Sequence, residues 1–307
     1  MTPRPAAIAV GDFNGDGALD LAIANGIPLN QVTILLGKGD GTFRIAGSFP
    51  IGADPRSVLV ADFDGDGKLD IATANANRAS NLDFGDLSIL MGNGDGTFRA
   101  PVSYAAGVRP NAAVAADVNG DGNLDLIVAA NGDTRTRQSE TIAVLLGNGD
   151  GGFQPAQYVV VGDNPPTAGT LASVTAADLD GDGKLDLVAT GSSTIEILLG
   201  AGDGTFQRSA YPTSSQPRFV AVADIDGNGK LDVIVAHCCG AADMSYLQGN
   251  GDGTFQPEAN FPGGASPVWA GIGDFNGDGK LDVAIADNLA KGSVVILLNR
   301  NAAPVKQ

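Results

Sequence analysis

Residues 62–70 read DFDGDGKLD, which places Asp62, Asp64, Asp66 and Asp70 at positions 1, 3, 5 and 9 of a short Gly-punctuated stretch. The stretch recurs as DFNGDGALD from Asp12, DVNGDGNLD from Asp117, DLDGDGKLD from Asp178, DIDGNGKLD from Asp224 and DFNGDGKLD from Asp274. Successive copies begin 50, 55, 61, 46 and 50 residues apart, so six units fill the 307 residues and leave no room for a separate second domain. One domain is expected, with units at about 1–50, 51–105, 106–161, 162–212, 213–262 and 263–307. A second motif follows in the first five units: GKGDGTF from Gly37, GNGDGTF from Gly92, GNGDGGF from Gly147, GAGDGTF from Gly200 and GNGDGTF from Gly249. The sixth unit stops at VVILLNR and lacks it.

Each unit holds four short apolar runs bounded by Gly, Asn and Asp, and no window sustains a helical period. In the second unit the runs are Ser57–Ala61, Leu69–Ala74, Leu87–Met91 and Phe98–Tyr104. Four strands per unit of about 50 residues predict an all-β chain, a β-propeller. Six blades of four antiparallel strands are expected, the last with three. A seven-bladed or incomplete ring is the alternative. Pro5, Pro55, Pro110, Pro217 and Pro267 each stand seven residues before a loop's first Asp, where a first strand begins and no ladder donor is needed.

The DxDGDGxxD stretch has the chemistry of a cation loop. Alternate positions of a tight turn aim oxygens at one centre, and hard, partly anionic oxygen donors in a flexible loop suit Ca2+ before Mg2+. Position 1 is Asp12, Asp62, Asp117, Asp178, Asp224 or Asp274, and position 3 is Asn14, Asp64, Asn119, Asp180, Asp226 or Asn276. Position 5 is Asp16, Asp66, Asp121, Asp182, Asn228 or Asp278. Position 7 (Ala18, Lys68, Asn123, Lys184, Lys230, Lys280) offers its carbonyl, and position 9 (Asp20, Asp70, Asp125, Asp186, Asp232, Asp282) closes the set. An EF-hand would need Glu at position 12, where Ile23, Thr73, Val128, Ala189, Val235 and Ile285 stand instead. Up to six Ca2+ sites are expected. The alternative, a metal-free Asp/Gly turn, does not account for six copies that all keep the first and ninth Asp. The single Asp of each second motif (Asp40, Asp95, Asp150, Asp203, Asp252) reads as part of a Gly-rich hairpin whose Phe tucks between blades.

These residues resemble the FG-GAP/VCBS repeat family, which includes the integrin alpha-subunit propeller and calcium-bearing propeller lectins. The resemblance covers essentially the whole chain. It implies blades of four antiparallel strands with Ca2+ in the loop joining the first strand to the second. Seven blades are usual in that family, so six units and a final unit without its GDGTF strand are departures from it.

Composition narrows the function. The chain carries 35 acidic and 18 Lys or Arg residues, a net charge of -17, and a single His. The six loops hold 20 of the 35 carboxylates, so the acidity reads as ligand charge. Such a chain is repelled by phosphate backbones, which argues against nucleic acid. No apolar run is long enough for membrane insertion. The opening MTPRPAAIAV is too short and weakly apolar for an export signal, so one is expected to have been removed, or the chain to belong to a longer protein. An extracellular or cell-surface location, with an isolated domain that is monomeric, is the expectation.

Varied loops on a repeated frame are natural recognition sites. The long ones are Asn75–Asp86, Asn131–Glu140, Gly162–Ser173 and His237–Met244. After the strand-opening Pro stand Arg56 and Arg218, and one position further Phe219 and the single Trp, Trp269. These four form a candidate ligand face for a sugar or an acidic group, or Phe219 and Trp269 pack between blades. Cys238 and Cys239 are adjacent, beside His237. They are two thiols, a soft-metal pair or a strained vicinal disulfide. The leading functional expectation is a non-enzymatic calcium-stabilised module that binds carbohydrate or an extracellular protein partner. Alternatives are a propeller polysaccharide lyase or hydrolase, with Tyr104, Tyr158, Tyr211 or Tyr246 as base, and a structural segment of a larger surface protein. No nucleophile motif supports an enzyme.

Overall fold

A computed structural model describes residues 4–77, 84–132, 139–161, 171–213, 216–238, 244–264, 266–288 and 292–300. The chain divides into two compact units, Met1–Gly169 and Thr170–Gln307. Each holds three antiparallel propeller blades, six in all among the described residues, and the fold is an all-β, six-bladed β-propeller.

In the first unit, blade 1 is β1 (Pro5–Gly11), β2 (Asp20–Asn25), β3 (Gln31–Gly37) and β4 (Phe43–Pro50). Blade 2 is β5 (Pro55–Ala61), β6 (Asp70–Asn75), β7 (Phe84–Leu90) and β8 (Val102–Val108). Blade 3 is β9 (Pro110–Ala116), β10 (Asp125–Ala130), β11 (Thr141–Leu145) and β12 (Gln157–Val160). The second unit continues with blade 4, β13 (Val174–Ala177), β14 (Asp186–Thr190), β15 (Thr194–Gly200) and β16 (Phe206–Pro212). Blade 5 is β17 (Gln216–Ala223), β18 (Asp232–Cys238), β19 (Met244–Leu247) and β20 (Ala259–Phe261). Blade 6 has three strands, β21 (Pro267–Gly273), β22 (Asp282–Asp287) and β23 (Ser293–Leu297). Strands pair in chain order within every blade, as sequential hairpins dictate.

The second strands explain why the sequence shows continuous apolar runs in place of strict alternation. All six residues of β6 are buried, because its two faces meet blade 1 and blade 3, and all six of β10 are buried as well. Within a unit, each core lies between successive blades. Ile34, Leu36 and Phe13 of blade 1 meet Ile71, Leu90 and Phe98 of blade 2. Leu87 and Ile89 meet Leu126, Val128 and Leu145. Val188 and Ile197 meet Val233 and Val235. Burying one such side chain is worth about 1.5–3 kcal/mol.

Two details differ from the simple reading of four equal runs. The outermost strand of blade 2 runs from Val102 to Val108, not from Phe98 to Tyr104. Phe98 makes only an isolated bridge to Gly92, as Phe153 does to Gly147 and Phe255 to Gly249. In those three units a Pro (Pro101, Pro155, Pro257) follows the Phe within three residues and has no N–H to give the ladder. Blades 1 and 4 have no such Pro, and there β4 and β16 start at the Phe itself. The strand-opening Pro also does more than begin a strand. In β5, β17 and β21 the register shifts just after it, which makes Arg56, Arg218 and Val268 bulge residues. A bulge re-aims its side chain.

Candidate metal centre

Each loop is set by the hairpin that carries it. The ninth-position Asp opens the second strand opposite a small residue that ends the first: Gly11↔Asp20, Ala61↔Asp70, Ala116↔Asp125, Ala177↔Asp186, Ala223↔Asp232 and Gly273↔Asp282. Eight residues therefore turn between two paired strands. Gly65 and Gly67 make the turn with φ of 70° and 82°, the left-handed region that favours glycine.

The first Asp folds the loop around itself. Asp12 Oδ1 accepts from Gly15 N at 2.8 Å and its Oδ2 from Gly17 N at 2.8 Å. Asp62 Oδ2 likewise accepts from Gly67 N (2.8 Å), and Asp224 Oδ2 from Gly229 N (2.8 Å). Burial works against ionisation of Asp12, but N–H groups from Gly17, Gly15, Asn14 and Asp16 outweigh it and hold the carboxyl below its ordinary value.

Carboxylate oxygens then converge. One oxygen from each of Asp62, Asp64 and Asp66 lies within 4.8 Å of the others, and the same holds for Asp178, Asp180 and Asp186 and for Asp224, Asp226 and Asp232. Oxygens on opposite sides of a Ca2+ ion lie about 4.6–5.2 Å apart, twice the usual metal–oxygen distance. These donor sets, all hard oxygen, fit Ca2+. In the first, third and sixth loops the third position is Asn. Asn14 Oδ1 accepts from Asp16 N (3.0 Å) while its amide donates to Asp16 Oδ2 (2.9 Å), and Asn119 and Asn276 do the same with Asp121 and Asp278. Three of the four seventh-position lysines pair with the fifth: Lys68 Nζ meets Asp66 at 2.7 Å, Lys184 Nζ meets Asp182 at 2.8 Å, and Lys280 Nζ lies 4.0 Å from Asp278; the first two are hydrogen bonds. Those hydrogen bonds lead the effects that lower both aspartates. The main chain of position 7 also binds position 5, with the N–H of Ala18, Lys68, Asn123, Lys184, Lys230 and Lys280 donating to its side-chain oxygen at 2.8–3.0 Å. Gln248 Nε2 donates to Asp226 Oδ2 at 2.5 Å.

The ninth-position Asp has a second role that sequence reasoning missed. Asp70 is 1% exposed; its Oδ2 accepts from Phe63 N (2.9 Å) and its Oδ1 from Gly92 N (2.7 Å). Asp20 clamps Phe13 N and Gly37 N, Asp125 clamps Val118 N and Gly147 N, and Asp186 clamps Leu179 N and Gly200 N. Asp232 and Asp282 repeat it with Ile225 N and Gly249 N, and with Phe275 N and Asn299 N. This carboxylate ties the first motif to the second. The available signal was their joint recurrence. Burial pushes Asp70, Asp125, Asp186 and Asp232 above the ordinary carboxylate value, the N–H donors pull back, and neighbouring loop aspartates add to the rise.

The second motif forms a closed turn. Asp40 Oδ1 takes Thr42 Oγ1 (2.6 Å) and Thr42 N (2.9 Å), and Asp95, Asp203 and Asp252 repeat this with their Thr. Asp150, with Gly152 where the others have Thr, keeps only the backbone bond. Phe98, Phe153 and Phe255 are each 7% exposed.

The candidate ligand face is distributed over both units. Arg56, in the first, pairs with Asp54 at 2.9 Å. Arg218 Nε in the second donates to Cys238 Sγ at 3.0 Å. Phe219 and Trp269 bring their ring centroids to 5.4 Å, yet Trp269 stays 55% exposed. They sit toward the start of their first strands, while the acidic loops follow the ends of those strands. Cys239 lies outside the described residues, as does half or more of each long loop, so the vicinal pair is not described. The hydroxyls of Tyr104 and Tyr211 accept from Phe153 N (3.3 Å) and Phe255 N (3.2 Å). Burial, and then Asp232, pushes the Tyr246 phenol well above its ordinary value, while Tyr158 is exposed. Among the described residues no helix is long and apolar enough to cross a membrane.

The sequence profile of the FG-GAP-like repeat matches residues 4–73, 79–128, 117–189, 178–235 and 238–285. No curated protein sequence matches the chain significantly. Among solved structures, an Agrocybe aegerita lectin specific for non-reducing terminal N-acetylglucosamine is similar over 96% of this chain and 80% of its own, at 23% identity and a TM-score of 0.58. The exotype rhamnogalacturonan lyase YesX is similar over 100% of this chain and 57% of its own (18% identity, TM-score 0.55). BBS1N, solved in complex with ARL6DN, is similar over 98% and 79% (13% identity, TM-score 0.56). At these identities the likeness is one of fold.

Proposed function

Because the chain belongs to the FG-GAP-like repeat family, we propose that it is a calcium-stabilised propeller that binds carbohydrate or a protein partner outside the cell, without turning its ligand over. The observation that carries the calcium reading is the convergence of three carboxylate oxygens in the second, fourth and fifth loops. Positions 1, 3, 5 and 9 would hold the ion, with Asn replacing Asp in some loops. The ion neutralises charge that the folded chain gathers into six turns.

The ligand reading is supported by the half-exposed Trp269, its ring tilted 49° against that of Phe219, with Arg218 beside Phe219 in sequence. An indole face of that kind suits the C–H face of a sugar, and a neighbouring guanidinium adds hydrogen-bond donors. The lectin of similar fold is consistent with it. The described tyrosines other than the exposed Tyr158 are engaged as packing or hydrogen-bond groups, which favours binding over catalysis. A glycan array, including terminal N-acetylglucosamine, probed with the wild type and Trp269→Ala, tests this. Binding lost in Trp269→Ala supports the reading. No binding to any glycan, or binding unchanged in the variant, overturns the carbohydrate half of it.

A further inference from the structure

Among the described residues the sixth blade has three strands, and the groove beside it has a defined complement elsewhere in the chain. In the first unit the Phe ending the second motif of blades 2 and 3 enters the preceding blade. Phe98 lies edge-on to Phe13 and Phe49, with centroids 5.6 and 5.3 Å away, and Phe153 to Phe63 and Tyr104, 5.6 Å from each. In the second unit Phe255 meets Tyr211 at 5.7 Å and shares a core with Leu179. Every receptor uses two positions: the residue after the loop's first Asp, and an aromatic on the outermost strand.

Blade 5 carries both receptor residues, Ile225 and Phe261, but no described Phe enters from blade 6. Asn299 stands there where the other five units have the first Gly of the second motif. It preserves the polar half of the missing turn. Its N–H donates to Asp282 Oδ1 at 2.7 Å, as Gly92 N does to Asp70. Its amide donates to Ile225 O at 2.7 Å, the carbonyl position that in blade 1 receives Gly96 N at 2.9 Å. Among the described residues nothing replaces the apolar half. A groove of about 800 Å3 is lined by Ile225, Tyr246, Phe261, Val283, Leu297 and Leu298. Alongside it β23 pairs, among the described residues, only with β22; β23 exposes Val294 (71%) and Ile296, and Leu298 just past its end is exposed as well. An apolar edge of this kind is a template for a further strand.

We propose that this groove and the edge of β23 form a strand-docking site for another polypeptide. An extended segment adds to β23 as the fourth strand of blade 6 and seats an aromatic side chain, Phe by its fit to the equivalent receptors, between Ile225 and Phe261. Main-chain hydrogen bonds supply affinity and the aromatic pocket supplies selectivity. The chain's own examples define the chemistry of the partner: a Gly-rich turn, then Phe, then a short apolar strand.

The probe is a fluorescent peptide copying residues 92–104, GNGDGTFRAPVSY, titrated into the full chain. Saturable binding is expected, and replacing the peptide's Phe by Ala should weaken it about tenfold to a hundredfold, the value of one buried aromatic. Leu298→Arg, at a half-exposed lining residue, should abolish binding while leaving the circular dichroism unchanged. Hydrogen exchange gives a readout independent of any variant: amides of Val294–Leu297 should slow on adding peptide. No saturable binding, equal binding of the Ala peptide, or no added protection in β23 would each overturn the proposal. So would binding only by a chain ended after Arg300, because residues 301–307, with Val305 in the sequence register of the missing Phe, would then be the occupant.

Discussion

The buried Phe of the second motif allows a test in which one residue type is read in two environments of the same unit. Phe153 is 7% exposed and lies edge-on to Phe63 and Tyr104; Phe43, at the same place in blade 1, is 42% exposed. Truncating Phe153 to Ala removes nearly a whole ring from a packed core and two edge-to-face contacts, which should cost about 3–5 kcal/mol. Phe43→Ala removes a ring already half in water and leaves no closed cavity, so about 1 kcal/mol is expected. Both residues lie in Met1–Gly169, so a single transition of that unit reports both. Urea unfolding followed by circular dichroism at saturating calcium gives the two values by linear extrapolation. The comparison is fair only if the urea slope is unchanged. Equal losses, within about 1 kcal/mol, would refute the idea that inter-blade insertion is what the motif's Phe contributes.

Removing metal with EDTA should lower the melting temperature markedly, since a single site held at a hundredfold its Kd contributes about 2.7 kcal/mol. An unchanged melting temperature after verified removal of bound metal would contradict the calcium reading. Asp70→Ala should destabilise even in EDTA, by about 2–5 kcal/mol, because it leaves Phe63 N and Gly92 N without their acceptor. A variant that is wild-type in EDTA and weaker only with calcium would assign Asp70 to the ion alone. Arg208→Met should cost about 1–3 kcal/mol, less than a fully buried pair, because Glu196 is 1% exposed while Arg208, at 2.6 Å, is 39% exposed; urea midpoints decide it. Asp40, Asp95, Asp203 and Asp252 are held below 3.8, first by their Thr hydroxyls. A depressed folded value means the stabilisation is present above 3.8 and is lost as pH falls through the lower value. Thr97→Val should therefore return Asp95 toward 3.8 in a carboxyl-carbon NMR titration, and an unmoved Asp95 would show the hydroxyl to be incidental.

The repeat made the blade count and the acidic loops legible, because a nine-residue motif recurring every 46 to 61 residues constrains both register and pitch. Finer features depended on groups that no local pattern exposes. Where the outermost strand begins depends on Pro101, Pro155 and Pro257, which were visible but whose effect needed the ladder beside them. The clamp of Asp70 joins residues 63 and 92, far apart in sequence. The groove beside β23 could not be foreseen, since its meaning comes from comparing a vacant receptor with three filled ones in space. The strand-opening Pro was read as a start signal, but the register shift after it, which makes Arg56 and Arg218 bulge residues, is a property of pairing.

The ninth-position carboxylate also bears on protein engineering. The smallest transplantable cassette of this scaffold is not the acidic loop, which in isolation keeps the Phe63-type donor but loses the Gly92-type one, so its last carboxylate is held on one side only. It is the stretch from a loop's first Asp to the Gly beyond the third strand, such as Asp62 to Gly92, whose ends that carboxylate fastens together. Grafts cut at those points should carry their own closure into a host, whereas grafts cut at the loop alone should arrive as frayed hairpins. Units trimmed or fused at that boundary would let the proposed metal affinity be varied blade by blade without rebuilding the frame.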